Sequence, residues 1–290
     1  MLRHHPPTSS LALEQSAQQA PGPSIKLPPS DITLFHRNGY LLLRSLFSPS
    51  ECQEILTEVD RLYAQRSIPG CFNAISLEEA QVQGNVLLAY PRMMHPHRIS
   101  PLLKQYLLHP QITSILTQLL GEEPIAAQSM FYWKPPTALG QAFHQDNFYL
   151  RVHPGTCIAA WVALDEIDEE NGCLFVAPGS HLLDIVCPET ADPAESFTKD
   201  FVPIPEGLEA EPLPMHPGDV LFFGGNLIHG SFPNRSTNRF RRCFIGHYAG
   251  QSAHELAKYY FPLYDIHGNE IHRAIATGGG PCGTEAKGPH

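Results

Sequence analysis

Gln141-Ala142-Phe143-His144-Gln145-Asp146-Asn147 sets an imidazole and a carboxylate two residues apart. A third such group follows at His229, within Val220-Leu221-Phe222-Phe223-Gly224-Gly225-Asn226-Leu227-Ile228-His229-Gly230-Ser231. Two neutral imidazoles and one carboxylate hold first-row divalent ions, and three ligands on one octahedral face leave the other face open for a co-substrate and oxygen. The pair alone decides little: with 16 histidines in 290 residues, chance supplies a His-x-Asp about half the time. Its setting decides more. A period-2 segment precedes it, the apolar run Ile158 to Leu164 follows it, and a turn at Gly218-Asp219 feeds the strand that leads to His229. On an all-β barrel, strands distant in sequence face one cavity, so the three groups are candidate ligands of one metal.

The chain is 42% hydrophobic over 290 residues, enough for a sizeable core, and barrels of this length commonly form one domain. A formal charge of −10 and the lack of a long Lys/Arg run argue against nucleic acid or an anionic membrane surface as the main partner. A small-molecule substrate fits better. Seven cysteines, at 52, 71, 157, 173, 187, 243 and 282, are odd in number and never in C-x-x-C, which suits neither a zinc site nor a disulfide framework and points to a reducing, cytoplasmic setting. No apolar run reaches the roughly 18 residues of a membrane span, and the N-terminus lacks the pattern of a secretory signal. No heptad or apolar surface stripe speaks for an oligomer, so the oligomeric state stays open.

Residues 1–28, rich in Pro, Ser, Gln and Ala without apolar period, are expected to form a disordered leader. Ser48-Pro49-Ser50-Glu51 reads as a capping box with proline at the first helical position, and Cys52, Ile55, Leu56, Val59, Leu62 and Tyr63 follow at helical spacing. Two more helices are expected near 101–108 and 110–120, the second closed by Gly121. Beyond them the chain turns to short β segments. Alternation over 127–134 places Gln128, Met130, Tyr132 and Lys134 on one face, expected to meet the cavity, and Ala127, Ser129, Phe131 and Trp133 on the other. Arg239, Arg241, Cys243, Ile245 and His247 likewise share a face, opposite Phe240, Arg242, Phe244 and Tyr248. Two irregular stretches, 65–92 and 183–212, read as functional loops that govern substrate choice. Met93, Met94, Phe148 and Tyr149 are candidates for a cleft wall, whereas Trp161 and the lone histidines at 95, 97, 153 and 216 read as structural. The Gly/Pro-rich residues 276–290 are expected to be a flexible tail.

Seven blocks taken in order resemble the phytanoyl-CoA dioxygenase family, within the iron(II) and 2-oxoglutarate dioxygenases. They are Phe35-His36-Arg37-Asn38-Gly39-Tyr40, Lys134-Pro135-Pro136, His144-Gln145-Asp146, Trp161-Val162-Ala163-Leu164-Asp165, Glu170-Asn171-Gly172-Cys173-Leu174, Pro178-Gly179-Ser180-His181, and His229-Gly230-Ser231 with Asn234 and the arginines after it. The resemblance implies a mainly β fold over residues 29–275, with a double-stranded β-helix core (jelly-roll, cupin-like) flanked by α-helices. It implies Fe(II), 2-oxoglutarate as co-substrate and O2, with His144, Asp146 and His229 as metal ligands and catalytic centre. Arg241 would anchor the distal carboxylate of 2-oxoglutarate through a planar guanidinium. Arg239, on the same face, competes, because the stretch from His229 to Arg241 is one residue longer than the family's usual gap. Ser231, Gln128, Tyr132 and Lys134 match positions that help hold the co-substrate. Asn171-Gly172 and Gly179-Ser180-His181 read as turn chemistry that supports the fold rather than the mechanism.

The implied reaction is hydroxylation of an unactivated C–H bond of a small molecule, with decarboxylation of 2-oxoglutarate to succinate. Related halogenases replace the carboxylate ligand with a small residue, so Asp146 favours hydroxylation over halogenation; desaturation, ring closure and epimerisation stay open. The alternatives are a 2-oxoglutarate-independent cupin-type metal isomerase or dioxygenase, and a non-catalytic jelly-roll binding module.

Overall fold

Ile158–Ala163 is apolar on both faces because both are covered: Ala159, Trp161 and Ala163 join one core cluster, and Ile158, Ala160 and Val162 join another. The computed structural model describes residues 25–277, 282–283 and 288. This strand sits inside a large antiparallel sheet, in the order Tyr40–Leu43, Val220–Gly224, Ile158–Ala163, Cys243–Gly250, Pro124–Tyr132, Leu263–Tyr264, Glu270–Ile271, with Met93–Met94 added on Pro124–Tyr132. A smaller antiparallel sheet runs Glu211–Leu213, Leu174–Val176, His229–Ser231, Gln141–His144. The inner faces of the two sheets meet in a cluster that includes Met130, Trp161, Leu221, Phe223 and Ile245 from the large sheet and Leu174, Val176 and Leu213 from the small one. This is the expected jelly roll.

Helices cover the outer face of the large sheet. Pro49–Tyr63 begins at the capping box read from the sequence, with Ser48 and Glu51 bonding reciprocally, and buries Cys52, Ile55, Leu56, Val59 and Leu62. Pro101–Leu107 and Pro110–Leu120 follow, the latter closed by Gly121 in the left-handed conformation. Their apolar stripes pack on Phe131, Phe222, Phe244 and their neighbours. Each fully buried side chain of this size contributes about 1.5–3 kcal/mol. Met93 belongs to this helix-side core, so it packs the fold rather than lining a cleft.

The Gly218-Asp219 turn locks the His229 arm to the sheet. Asp219 accepts from the amides of Ser45 and His216, both at 2.8 Å, and from Arg44 Nη1 at 2.7 Å, which holds Val220–Gly224 beside Tyr40–Leu43. The two long stretches carry local structure of their own. The first contains the hairpin Ser67–Ile68/Phe72–Asn73 and the helix Leu77–Val82; the second contains the hairpin Glu189–Thr190/Asp200–Phe201. Most of the expected leader lies outside the described residues. Its last part is packed: Leu27 is buried, and Gln118 Nε2 donates to the Ile25 carbonyl at 2.7 Å. In the tail, where 278–281, 284–287 and 289–290 lie outside the described residues, Cys282 forms a disulfide with Cys187. This pairing corrects the expectation, drawn from the odd and scattered cysteines, of no disulfides; the other five are free and buried.

Candidate active site

In the small sheet, His144 on one strand stands directly opposite His229 on the next. Their ring centroids are 4.2 Å apart. The strand ends at His144, and the chain turns through Gln145 into the short helix Asn147–Leu150, which brings Asp146 back over the imidazoles. Asp146 Oδ1 lies 3.5 Å from His144 Nε2 and 3.6 Å from His229 Nε2. One ligand atom from each of the three residues falls within 4.8 Å of the others, and all three side chains are buried. Gln145, whose amide points away from this cluster, donates to the Asn226 carbonyl at 2.8 Å and accepts from the Val186 amide at 2.8 Å. It ties the segment His144-Gln145-Asp146, which bears two of the candidate ligands, to the approach to the third.

Both imidazoles are set in the ligand tautomer. His144 Nδ1 donates to the Ala142 carbonyl at 2.8 Å and His229 Nδ1 to the Leu227 carbonyl at 3.0 Å, which leaves each Nε2 lone pair aimed at the cluster. Burial, with His144 beside it, takes His229 down to about 4, so it is neutral at physiological pH. Gln141 Nε2 lies 3.2 Å from His144 Nε2 and donates to that lone pair. Two neutral imidazole nitrogens and one carboxylate oxygen, all buried and converging on one point, form a donor set that fits iron(II).

Two cations sit beside the triad. Arg241 is 4% exposed; its Nε donates to the Gly172 carbonyl at 3.2 Å, its Nη2 lies 3.4 Å from Ser231 Oγ, and the guanidinium carbon lies 5.4 Å from the Trp161 ring. Lys134 is 3% exposed, and its Nζ donates to the same Ser231 Oγ at 2.8 Å and to the Phe232 carbonyl. Burial, with Arg241 close by, lowers its ammonium well below the ordinary lysine range. Among the described residues no carboxylate lies within salt-bridge distance of either cation. A buried guanidinium without a counter-ion is costly. The pocket therefore has the electrostatics of a seat for an anion.

Of the residues singled out in the sequence, His144, Asp146, His229, Ser231, Arg241 and Tyr132 line one cavity, together with Trp161, Met130 and Phe223. Trp161 is thus both core and pocket wall. Gln128 is fully buried on the strand next to it, opposite His247, and Lys134 reaches the group through Ser231 from a neighbouring cavity. Arg239 leaves the shared face, because the strand begins only at Cys243. It turns outward to a bidentate pair with Asp168, at 2.8 and 2.9 Å, and a bond to Glu170 at 2.6 Å. The Asn171-Gly172 turn does more than shape the fold, since its Gly172 carbonyl receives both Arg241 and Lys134. Gly172 has φ +81°, and a Cβ there would stand 2.8 Å from Lys134 Nζ and 2.6 Å from the Phe232 carbonyl. His247 carried no role in the sequence reading beyond its place on the Arg241 face. Its Nε2 donates to Asp146 Oδ2 at 3.1 Å.

Residues 35–243 match the family model described as Phytanoyl-CoA dioxygenase (PhyH), a span that holds the triad and Arg241. Phytanoyl-CoA dioxygenase 1 of Oryza sativa subsp. japonica is 32% identical over 141 residues, 48% of this chain and 50% of that protein. Phytanoyl-CoA dioxygenase of Arabidopsis thaliana is 28% identical over 249 residues, 73% of this chain and 85% of that protein. In fold, the chain is similar to the epimerase SnoN in complex with Fe3+, alpha ketoglutarate and nogalamycin RO, with TM-score 0.61 and 24% identity over 77% of this chain and 84% of that one. The chain belongs to the phytanoyl-CoA dioxygenase family of iron(II)- and 2-oxoglutarate-dependent dioxygenases.

Proposed function

We propose that the protein hydroxylates an unactivated C–H bond of a small molecule, with His144, Asp146 and His229 holding the iron and Arg241 and Ser231 holding the distal carboxylate of 2-oxoglutarate. The observation that carries the reading is the pairing of a buried His-Asp-His cluster with two buried cations, Arg241 and Lys134, that have no carboxylate within salt-bridge distance among the described residues. Iron(II) with 2-oxoglutarate and oxygen supplies the oxidising power when bound. The residues supply binding, orientation and exclusion of water. The guanidinium fork of Arg241 suits a bidentate carboxylate, Ser231 Oγ offers a hydroxyl between the two cations, and the guanidinium carbon lies over the Trp161 ring at 5.4 Å. Retention of Asp146 supports hydroxylation over halogenation.

Substrate choice is assigned to the two long stretches, which meet above the pocket. Arg92, from the first, donates to Tyr132 Oη at 3.2 Å and stacks over Phe197, from the second, at 5.2 Å. Tyr149 Oη donates to Asp200 Oδ2 at 2.8 Å, which joins the second stretch to the helix after Asp146. The bound nogalamycin compound in SnoN supports a small-molecule substrate, and its epimerisation marks the outcome that competes most directly with hydroxylation. No helix among the described residues is long and apolar enough to cross a membrane. Five cysteines are free and buried, whereas the Cys187–Cys282 disulfide runs against the reducing, cytoplasmic setting expected from the cysteine spacing.

The test is mass spectrometry of the Fe(II)-loaded protein with 2-oxoglutarate and a panel of small molecules under 18O2. Succinate formed in step with a product that has gained one labelled oxygen is the expected result. Succinate without oxygen gain in any product would shift the outcome to epimerisation, cyclisation or desaturation. No succinate under any condition would remove the dioxygenase reading.

A further inference from the structure

We infer that His247 is a positioning residue for the metal centre: it holds one oxygen of Asp146 so that the carboxylate presents only the other to the metal. The inference rests on the reading of His144, Asp146 and His229 as ligands. The two oxygens of Asp146 have separate surroundings. Oδ1 faces both imidazole nitrogens, at 3.5 and 3.6 Å, while Oδ2 accepts from His247 Nε2 at 3.1 Å. His247 and Asp146 are 101 residues apart and each 1% exposed, so the bond spans the barrel interior, from the large-sheet strand Cys243–Gly250 to the turn that ends Gln141–His144.

The physical reason for such a bond lies in counting coordination sites. The terminal torsion of an aspartate is broad and two-fold, so nothing intrinsic to Asp146 stops both oxygens from reaching one cation. A chelating carboxylate would occupy a fourth of six octahedral positions and leave too few for a bidentate keto acid together with oxygen. Fixing Oδ2 on an imidazole N–H keeps the protein's share at three. The donor also restrains the carboxylate plane, because it comes from a buried side chain on a strand. His247 is well placed for this task because it lies on a central strand, paired on one side with Gln128 and on the other with Ala159.

Two substitutions separate this role from plain packing. His247→Leu keeps the bulk and removes the N–H, while His247→Gln places an amide donor near the position of Nε2. Titration of metal-free protein with Mn(II) by calorimetry should show affinity falling about 10- to 100-fold in His247→Leu, the usual effect of losing a group that supports a ligand. His247→Gln should recover most of it, and the apo melting temperatures should stay close to wild type. Wild-type affinity in His247→Leu overturns the role of His247 and leaves the metal site standing. Absence of Mn(II) binding in the wild type overturns both. If His247→Leu does not fold, a crystal structure of the Mn(II)-loaded wild type decides: Asp146 bound through one oxygen, with the other on His247, upholds the inference, and a chelating Asp146 overturns it.

Discussion

Replacing Arg241 with alanine should weaken 2-oxoglutarate binding by about two orders of magnitude while leaving metal affinity almost unchanged. Arg241 is 4% exposed and has no carboxylate partner among the described residues, so a bound carboxylate would complete a buried charge pair. Removing one member of such a pair costs about 3–5 kcal/mol, which at roughly 1.4 kcal/mol per decade is about 100- to several thousand-fold. The lower end applies here, because Lys134 Nζ stays 2.8 Å from Ser231 Oγ, which lines the site. Arg241→Lys should fall between, since it keeps the charge and loses the fork. Arg239→Ala, whose side chain bonds Asp168 and Glu170 at the surface, should bind 2-oxoglutarate as the wild type does. The assay is anaerobic calorimetry of Mn(II)-loaded protein with 2-oxoglutarate, supported by the KM for succinate formation. An Arg241→Ala dissociation constant within about threefold of wild type, or a larger loss in Arg239→Ala, would refute the anchor.

Further outcomes follow from other parts of the molecule. Asp146→Ala should abolish Mn(II) binding in calorimetry with far-UV circular dichroism unchanged; retained affinity would displace the triad. Gly172→Ala forces a side chain into a left-handed backbone against Lys134 and the Phe232 carbonyl, so stability should drop by about 1–3 kcal/mol, read as a fall in Tm of roughly 2–4 °C for each kcal/mol; an unchanged Tm would contradict the packing. Burial takes His95 down to about 3 and His97 to about 2, against an unfolded value of 6.5. Below that unfolded value the unfolded chain takes up protons that the folded chain refuses, so stability should fall by about 1.4 kcal/mol per pH unit for each histidine. In urea titrations between pH 6.5 and 4, the double variant His95→Gln/His97→Gln should flatten this slope, and an identical slope would contradict the assignment.

The candidate metal triad was legible because His144 and Asp146 stand two apart in sequence and the apolar run ahead of His229 marks a strand. Parity put Arg241 on the inward face with Arg239 beside it, and only the family resemblance singled out Arg241 as the candidate anchor. What separates them is tertiary: Asp168 and Glu170 wait at the surface for one, and the strand starts at Cys243. The same rule placed His247 on the inner face, yet its partner lies 101 residues away and no local pattern encodes that distance. Helix boundaries came through well, since Ser48, Glu51 and Gly121 act within one turn. The Cys187–Cys282 disulfide did not, because spacing carries no connectivity. Gly172 read as a turn residue, and only the fold brings its carbonyl to two cations.

The central claim is that one buried pocket holds iron on His144, Asp146 and His229 and seats 2-oxoglutarate beside it. Anaerobic titration of the Fe(II)-loaded protein with 2-oxoglutarate tests it directly, through the weak visible charge-transfer band of a chelated keto acid, with Arg241→Ala as control. The account predicts a band that saturates at equimolar 2-oxoglutarate in the wild type and needs far higher concentrations in the variant. Iron bound without any band, or a band that Arg241→Ala leaves unchanged, would contradict it.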